Sequence, residues 1–292
     1  MIQFADDSTK QLVWDMWKSV FGDSDDYMQI YFRHKYLNEN TLIFFEDDKG
    51  VSSLQMLPYQ FTFCGQEIPV CYLSGVATLN DYRGKGYARE LLMRSFEVAG
   101  ERGIPLVILV PQEDWLFSFY DKFGFAQAFD RGNEDLQSLK EIIDNSQGNL
   151  YSTYKEFDAL YRSNDMTVQK SYSDFEAIVE EAELFDFPLK RNLRGMARII
   201  DAESLINIFA GMYKDKSFTV KVRDEMLEVN NTTYQVSMGQ VQKNPASIIE
   251  PLLDLDIREL AQLLMGFHTS EKTAPLNSLF PEKIPVMNLM LE

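Results

Sequence analysis

Apolar residues recur first at helical spacing and then at strand-like spacing along the first 80 residues of the chain. Residues 9–21 and residues 25–37 each carry an apolar stripe, which predicts two helices. Four β-prone runs follow, at 41–46, 51–57, 58–64 and 68–79. Turn-forming residues separate these runs, so we predict an antiparallel meander after the two helices.

The pattern changes after residue 70 to a strand, a glycine-containing turn, a helix and a second strand. Val70–Leu79 is the first strand and Ile104–Val110 is the second, with an amphipathic stretch at 87–101 between them. An unbroken apolar run is typical of a strand buried on both faces, and the strand–helix–strand order predicts a parallel βαβ crossover. The unit is expected to close with a short helix and a strand, near 114–122 and 124–129.

Two further segments follow this unit. Residues 131–195 contain helical patterns at Leu150–Tyr161 and Tyr172–Glu183, and we predict a helical connector. From residue 196 a second α/β pattern begins, with a helix expected after Asp201, a residue type favoured at the N-cap. The other predicted elements of this unit are strands at Met196–Ile200, Ser217–Val222, Met226–Val229 and Thr233–Met238 and a helix from Asp256 to Gly266.

The predicted fold class is therefore α/β (α+β), with two domains, as the length of 292 residues also indicates. We expect a mixed-sheet domain flanked by helices at 1–130, the connector at 131–195 and a smaller α/β domain at 196–292.

The formal net charge of −17 argues against a nucleic-acid partner, because phosphates would be repelled by such a field. Either a cationic partner or simply a solvated acidic surface fits the charge. The two cysteines and two histidines give neither a disulfide framework nor support for a metal site or a histidine-dependent triad. We predict a cytoplasmic protein without a metal or a membrane partner, since neither a signal peptide nor a spanning apolar stretch is evident.

The chemistry of the chain is expected at Tyr82-Arg83-Gly84-Lys85-Gly86-Tyr87-Ala88, between a strand and a helix. The first N–H groups of a helix lack intrahelical partners, and the helix dipole adds positive potential, so such a turn can hold a pyrophosphate. Gly84 and Gly86 would allow close approach of the backbone, and Arg83 and Lys85 add two cations. Neither the P-loop pattern nor the dinucleotide-binding glycine pattern occurs.

This segment resembles the cofactor-binding signature of the GNAT acetyltransferase superfamily, which Arg83, Gly86 and Ala88 match. The strand Leu73–Leu79 precedes it, and a buried strand followed by Phe119-Tyr120-Asp121-Lys122-Phe123-Gly124-Phe125 comes after it, as in that superfamily. The resemblance implies acetyl-CoA as co-substrate and transfer of its acetyl group to a primary amine. The cofactor-binding positions that it implies are Val76, Ala77, Thr78, Arg83, Gly84, Lys85, Gly86, Tyr87, Ala88 and Arg89.

The same resemblance implies two catalytic roles. Backbone donors of Val76–Thr78 would stabilise the developing oxyanion, and Tyr120 would protonate the leaving thiolate. Tyr120 could equally be a packed core aromatic. Glu113 and Asp114 either act as a base or attract a cationic amine, or they form a solvated helix start.

The C-terminal unit resembles the sterol-carrier-like domain of the enhanced intracellular survival family of acetyltransferases. Met196–Asp201, Phe218–Val222 and Leu253–Ile257 carry this likeness. It implies the C-terminal carboxylate as the base, at Glu292, or at Met290 if Leu291-Glu292 is a vector remnant. The family's second transferase-like domain has no counterpart, since only residues 131–195 separate the two units.

The sequence leaves the acceptor, the oligomeric state and the class of function open. The acceptor is either a small cationic amine or a lysine side chain, and a homo-oligomer is possible. The chain is otherwise an acyl-CoA or lipid binding protein, or a sensor without turnover, whose C-terminal apolar faces would line a ligand cavity.

Overall fold

The computed structural model describes residues 1–146, 149–244 and 250–291. The helices within these ranges are α1 (Lys10–Phe21), α2 (Asp25–His34), α3 (Tyr87–Glu101), α4 (Asp114–Asp121), α5 (Leu139–Asn145), α6 (Leu150–Tyr161), α7 (Tyr172–Leu184), α8 (Ala202–Met212), α9 (Ile257–Leu264) and α10 (Leu276–Leu279). The strands are β1 (Ile2–Phe4), β2 (Thr41–Glu46), β3 (Lys49–Phe63), β4 (Gln66–Thr78), β5 (Leu106–Leu109), β6 (Ala126–Phe129), β7 (Thr167–Gln169), β8 (Gly195–Ile199), β9 (Phe218–Arg223), β10 (Thr233–Ser237), β11 (Gln240–Lys243) and β12 (Leu253–Asp256).

The first sheet has eight strands in the order β1-β2-β3-β4-β5-β8-β6, and β7 pairs with β3 beside this path. The predicted parallel βαβ unit is confirmed, because β4 and β5 run parallel and α3 connects them. The other pairs of this sheet are antiparallel, and the predicted mixed sheet is therefore present.

The two runs predicted at 51–57 and 58–64 form a single strand, β3, which pairs with β4 from Ser52 to Phe63. Pro58, where the second run begins, lies between the segments of β3 that pair with β2, up to Gln55, and with β7, from Gln60. A strand tolerates proline where no neighbouring strand needs its N–H. The prediction of two strands is wrong for this reason.

The strand predicted at the start of the C-terminal unit lies in the first sheet instead. β8 pairs antiparallel with β5 on one side and with β6 on the other. The predicted connector also contributes a strand, β7, besides its helices. Because of this pairing, the first sheet crosses the predicted domain boundary at residue 196. Hydrophobicity predicts that a segment is a buried strand, but it does not specify which strand pairs with it.

The second sheet has four strands in the order β11-β10-β9-β12, with β9 and β12 parallel. Asp201 caps α8 as predicted, since its carboxylate accepts a hydrogen bond from the N–H of Ser204 at 3.0 Å. The strand predicted at Met226–Val229 is wrong, because a short 3₁₀ turn at Glu228–Asn230 occupies this place. The Asp224 carboxylate accepts hydrogen bonds from the N–H groups of Met226 and Leu227 and so holds this loop in a turn.

Helices cover both faces of the first sheet. One face packs against α1, α2 and α7, and the other packs against α3 and α4. Successive residues of β4 point to opposite faces, so Tyr72 contributes to the first core and Leu73 to the second. The last described segment runs beside β7, where the N–H of Val286 donates to the Met166 carbonyl at 2.7 Å.

Candidate active site

A cleft of about 980 Å³ opens where β4 and β5 diverge. The last pair between them in the described strands is Tyr72 with Ile108, whereas β4 continues to Thr78. With a rise of about 3.3 Å per residue, this unpaired part of β4 extends for about 20 Å. The backbone groups along this edge of β4 therefore face the cleft rather than a neighbouring strand.

A β-bulge distorts β4 within the cleft. The register passes from Ser53–Ala77 to Gln55–Ser74, so that Gly75 and Val76 together face a single residue of β3. Gly75 has a φ of +57°, and a Cβ on it would lie 2.3 Å from Cζ3 of Trp17. Glycine is needed here both for the backbone conformation and for the close contact with the indole.

The turn before α3 forms one side of the cleft. Gly84 and Gly86 have φ values of +79° and +91°, and no atom lies within 4 Å of a Cβ placed on either. The side chains of Arg83 and Arg89 line the cleft beside them. Open space in front of the N-terminal N–H groups of a 15-residue helix fits an anionic group such as a pyrophosphate. We call this part of the cleft, residues 83–89 with Val76 and Thr78, the α3 side.

The side chain of Lys85 lies outside the cleft, in contrast to the prediction that it adds a cation there. Its Nζ is 3.3 Å from the Glu46 carboxylate and 4.8 Å from the centre of the Tyr82 ring. The Tyr87 hydroxyl donates a hydrogen bond to the same carboxylate. This bond raises the pKa of Tyr87 to about 12 and lowers the pKa of Glu46 below its ordinary value.

Tyr120 lies on α4 and lines the cleft. It is buried, with Phe119 and Phe125 at centroid distances of 5.1 Å and 5.7 Å. Burial raises the pKa of its hydroxyl, so the group stays protonated at neutral pH and is able to donate a proton. The geometry is compatible with the expected acid role, although the ring also packs in the core.

The opposite face of the sheet contributes a different set of side chains to the cleft. Trp17 and Asp23 come from α1 and the turn after it, and the indole Nε1–H donates to the Asp23 carboxylate at 2.7 Å. Glu181 of α7 and Lys190 of the following loop also line the cleft. We call these four residues the α7 side; none of them was predicted from the sequence as a site residue.

The remaining predicted positions divide between the cleft and its surroundings. Glu113 lines the cleft, whereas the Asp114 carboxylate accepts a hydrogen bond from Arg194 at 2.9 Å and is highly exposed. Ala77 is buried outside the cleft lining, and its carbonyl accepts a hydrogen bond from the Ser52 hydroxyl.

The last described residues reach the cleft. Met290 and Leu291 are buried and Leu291 lines the cleft, whereas Glu292 lies outside the described residues. The role predicted for the terminal carboxylate therefore stays a prediction.

Residues 2–128 match the acetyltransferase (GNAT) domain family, and residues 207–284 match the sterol carrier protein domain family. The chain carries a GNAT acetyltransferase domain followed by a sterol carrier protein domain. The predicted resemblance and enzyme class, an acyltransferase, are confirmed by these matches. No curated protein sequence matches the chain significantly.

Solved structures share this two-domain fold along nearly the whole chain. The GCN5-related N-acetyltransferase from Anabaena variabilis superposes with a TM-score of 0.68 at 16% identity, covering 97% of this chain and 94% of its own. The corresponding enzyme from Kribbella flavida gives 0.69 at 14% identity, covering 98% and 96%. Eis1 from Mycobacterium abscessus gives 0.65 at 12% identity, covering 99% of both chains. At these identities the likeness concerns the fold.

No helix of the described segments is long and apolar enough to cross a bilayer.

Proposed function

We propose that this protein transfers the acetyl group of acetyl-CoA to a primary amine, either a small cationic amine or a lysine side chain. The observation that carries the proposal is the continuity of the cleft. It joins the helix N-terminus of the α3 side, which suits an anionic cofactor, to Tyr120 and to the carboxylates of the α7 side. The acetyltransferase (GNAT) domain match and the predicted co-substrate agree with this arrangement.

Acetyl-CoA supplies the acetyl group as a thioester, and the chain's own residues hold it. The N–H groups at the start of α3 and the guanidinium groups of Arg83 and Arg89 bind the pyrophosphate. The unpaired edge of β4 at Val76–Thr78 runs beside the cofactor and donates to its carbonyl groups. This edge stabilises negative charge on the acetyl oxygen while the amine attacks.

Tyr120 donates its proton to the leaving sulfur. Its hydroxyl is buried at the cleft, and its raised pKa keeps the proton in place until the C–S bond breaks. The acceptor enters from the opposite face, where Asp23 and Glu181 supply negative charge beside the aromatic ring of Trp17. This combination favours a cationic amine over a neutral or anionic acceptor.

The proposal is tested by titrating the protein with acetyl-CoA in a calorimeter and measuring release of free thiol with spermidine, kanamycin and a lysine-containing peptide. We expect saturable binding and thiol release that depends on at least one of these amines. Binding without amine-dependent release would favour the acyl-CoA sensor, and absence of binding would contradict both. Extraction of the purified protein with organic solvent tests the lipid-binding alternative, for which the sterol carrier protein match is the support.

A further inference from the structure

Glu181 is a buried carboxylate that opens onto the cleft. It lies on α7, is 4% exposed and belongs to the face of the sheet opposite to Tyr120. Its neighbours along the helix, Ile178 and Ala182, are part of the apolar core. Burying a charged carboxylate costs free energy unless hydrogen bonds or opposite charges replace the water that it loses.

The only cation near Glu181 among the described residues holds it loosely. Lys190 Nζ stands 3.5 Å from each carboxylate oxygen, at the limit of a hydrogen bond, and its side chain is partly exposed. Such a long contact leaves the acceptor capacity of the carboxylate largely unused. Burial raises the pKa of Glu181 above its ordinary value, and Lys190 opposes this rise.

Other charged groups around α7 have closer partners of their own. Arg33 and His34 of α2 pair with Glu180, and Lys35 of α2 pairs with Asp174. On β3, the Tyr59 ring faces Lys35 and Lys170, and burial raises the pKa of its hydroxyl, with smaller contributions from the charges of Asp174 and Glu181. On α6, the Tyr154 hydroxyl donates to the Lys170 carbonyl. Among the described charged groups, Lys190 is therefore the one that favours the charged form of Glu181 against the effect of burial.

We propose that Glu181 is a catalytic residue that binds the acceptor ammonium and takes its proton before attack, with Lys190 as a positioning residue. The inference rests on the acetyl transfer proposed above. A hydrogen bond forms from the acceptor N–H⁺ to the carboxylate, the proton moves to the carboxylate oxygen, and the lone pair of the neutral amine attacks the thioester carbonyl. The C–S bond then breaks, the proton from Tyr120 goes to the sulfur, and the nitrogen loses its second proton, which restores the Tyr120 hydroxyl directly or through solvent. The step balances, because two protons leave the acceptor nitrogen: one replaces the proton that Tyr120 gave to the thiolate, and Glu181 releases the other to solvent.

The two carboxylates of the α7 side differ in their suitability for this step. The Asp23 carboxylate accepts a hydrogen bond from the Trp17 indole at 2.7 Å, which occupies part of its acceptor capacity. Glu181 has no comparable short hydrogen bond in the described structure. Glu181 is therefore the freer of the two to accept a hydrogen bond and a proton from an incoming ammonium.

The test compares Glu181→Gln with Glu183→Gln, an exposed position on the same helix. Calorimetry measures the affinity for acetyl-CoA and, with CoA bound, for spermidine; thiol release between pH 5.5 and 9 gives kcat and KM for each reactive amine. Glu181→Gln is expected to bind acetyl-CoA as the wild type does and to lose about 100-fold or more in kcat/KM. Its affinity for spermidine should also fall, and Glu183→Gln should behave as the wild type.

The pH profile of Lys190→Met separates a catalytic from a structural role of Glu181, because a purely structural role would leave this profile unchanged. Removal of the cation disfavours the charged carboxylate, so its pKa rises further. The base works only when deprotonated; the low-pH limb of the kcat/KM profile should therefore shift upward, by about one pH unit. In Glu181→Gln this limb should disappear.

Failure of this inference is distinguishable from failure of the proposed function. A wild-type protein that does not bind acetyl-CoA, or acetylates none of the amines, overturns the proposed function and the inference with it. A wild-type enzyme whose Glu181→Gln variant keeps its rate and pH profile overturns the inference alone. Equal losses in Glu181→Gln and Glu183→Gln, or an unshifted profile in Lys190→Met, would also overturn it.

Discussion

The α3 side of the cleft is built from one short continuous segment and its backbone, whereas the α7 side is built from side chains brought together from distant parts of the chain. On the α3 side, residues 83–89 contribute a turn whose conformation depends on glycine and on the start of a helix. On the α7 side, Trp17, Glu181 and Lys190 meet only because α1 and α7 cover the same face of the sheet. A motif in the sequence can therefore identify the first side, while only the fold reveals the second.

The largest effect is expected from a change to the backbone turn of the α3 side. Gly86→Glu places bulk and negative charge in the open space in front of the helix N-terminus, where the cofactor phosphates would bind. The affinity for acetyl-CoA should fall by about 100-fold or more. Calorimetric titration of the folded variant measures this loss.

The matched control is Gly103→Glu at the other end of α3. Gly103 also has a positive φ, +66°, and open space around its Cβ position, so both variants suffer similar backbone strain and the same charge change. The control should bind acetyl-CoA normally. Equal losses in the two variants would mean that the turn before α3 is not the phosphate site.

The next effect concerns Tyr120, which lies between the two sides. Tyr120→Phe removes the proton donor but keeps the ring that packs against Phe125, so kcat should fall by about 100-fold at unchanged acetyl-CoA affinity. Since burial raises the pKa of Tyr120, the hydroxyl is protonated throughout the neutral range, and the loss should not vary with pH there. Steady-state rates between pH 6 and 8 check both points.

Tyr234→Phe is the control for this change, because Tyr234 is a buried tyrosine of the second sheet and does not line the cleft. It should retain the wild-type rate. A Tyr120→Phe variant that is equally active would show that the ring serves only in the core.

A third and smaller effect should appear at Gly75, where the two sides touch. A Cβ at this position collides with the Trp17 indole and forces a strained backbone conformation on the bulge. We expect Gly75→Ala to lower the free energy of unfolding by about 1–3 kcal/mol. Turnover with amines should decrease about tenfold, more than the affinity for acetyl-CoA, because Trp17 belongs to the α7 side.

Chemical denaturation and the thiol assay measure these two quantities. Gly211→Ala in α8 is the control, since its Cβ would meet no atom within 4 Å and alanine favours a helix. The control should be unchanged in activity and stabilised by up to about 1 kcal/mol. A Gly75→Ala protein with normal stability would argue that the indole moves away at little cost.

Sequence patterns predicted the meander and the βαβ unit of the first sheet and located the glycine turn before α3, because hydrophobic periodicity and turn glycines act over a few residues. They misplaced β8, whose apolar run is compatible with either sheet, and they divided β3 at Pro58. Lys85 was expected in the cleft because of its neighbours in sequence, yet Glu46 from β2 attracts it away. For β8, β3 and Lys85 alike, contacts with residues distant along the chain determine the observed position.

The sequence contains a signal that Glu181 is buried, and the predicted site did not include this residue. It stands three residues after Ile178, on the side of α7 that carries the apolar stripe, and a carboxylate on a buried helix face is unusual. The acidic run around it, Glu180-Glu181-Ala182-Glu183, has the composition of a solvated surface and hides this signal. Even with the burial recognised, the sequence could not show that α7 lies over the cleft.

The smallest effects are expected at Arg83 and Lys85, the two cations on either side of Gly84. They test whether cofactor binding by the α3 side depends on its backbone or on the charge of these side chains. The Lys85 ammonium pairs with the partly exposed Glu46 carboxylate, and pairs of this kind contribute about 1 kcal/mol or less, so Lys85→Ala should change acetyl-CoA affinity less than about threefold. Arg83 lines the cleft, and Arg83→Ala should weaken binding by about tenfold and reduce the salt dependence of the affinity. Titrations at low and high ionic strength separate the two. If Lys85→Ala reduces both quantities as much as Arg83→Ala, the Lys85 side chain leaves Glu46 when the cofactor binds. In that case the α3 side, like the α7 side, depends on side-chain charge and not on its backbone alone.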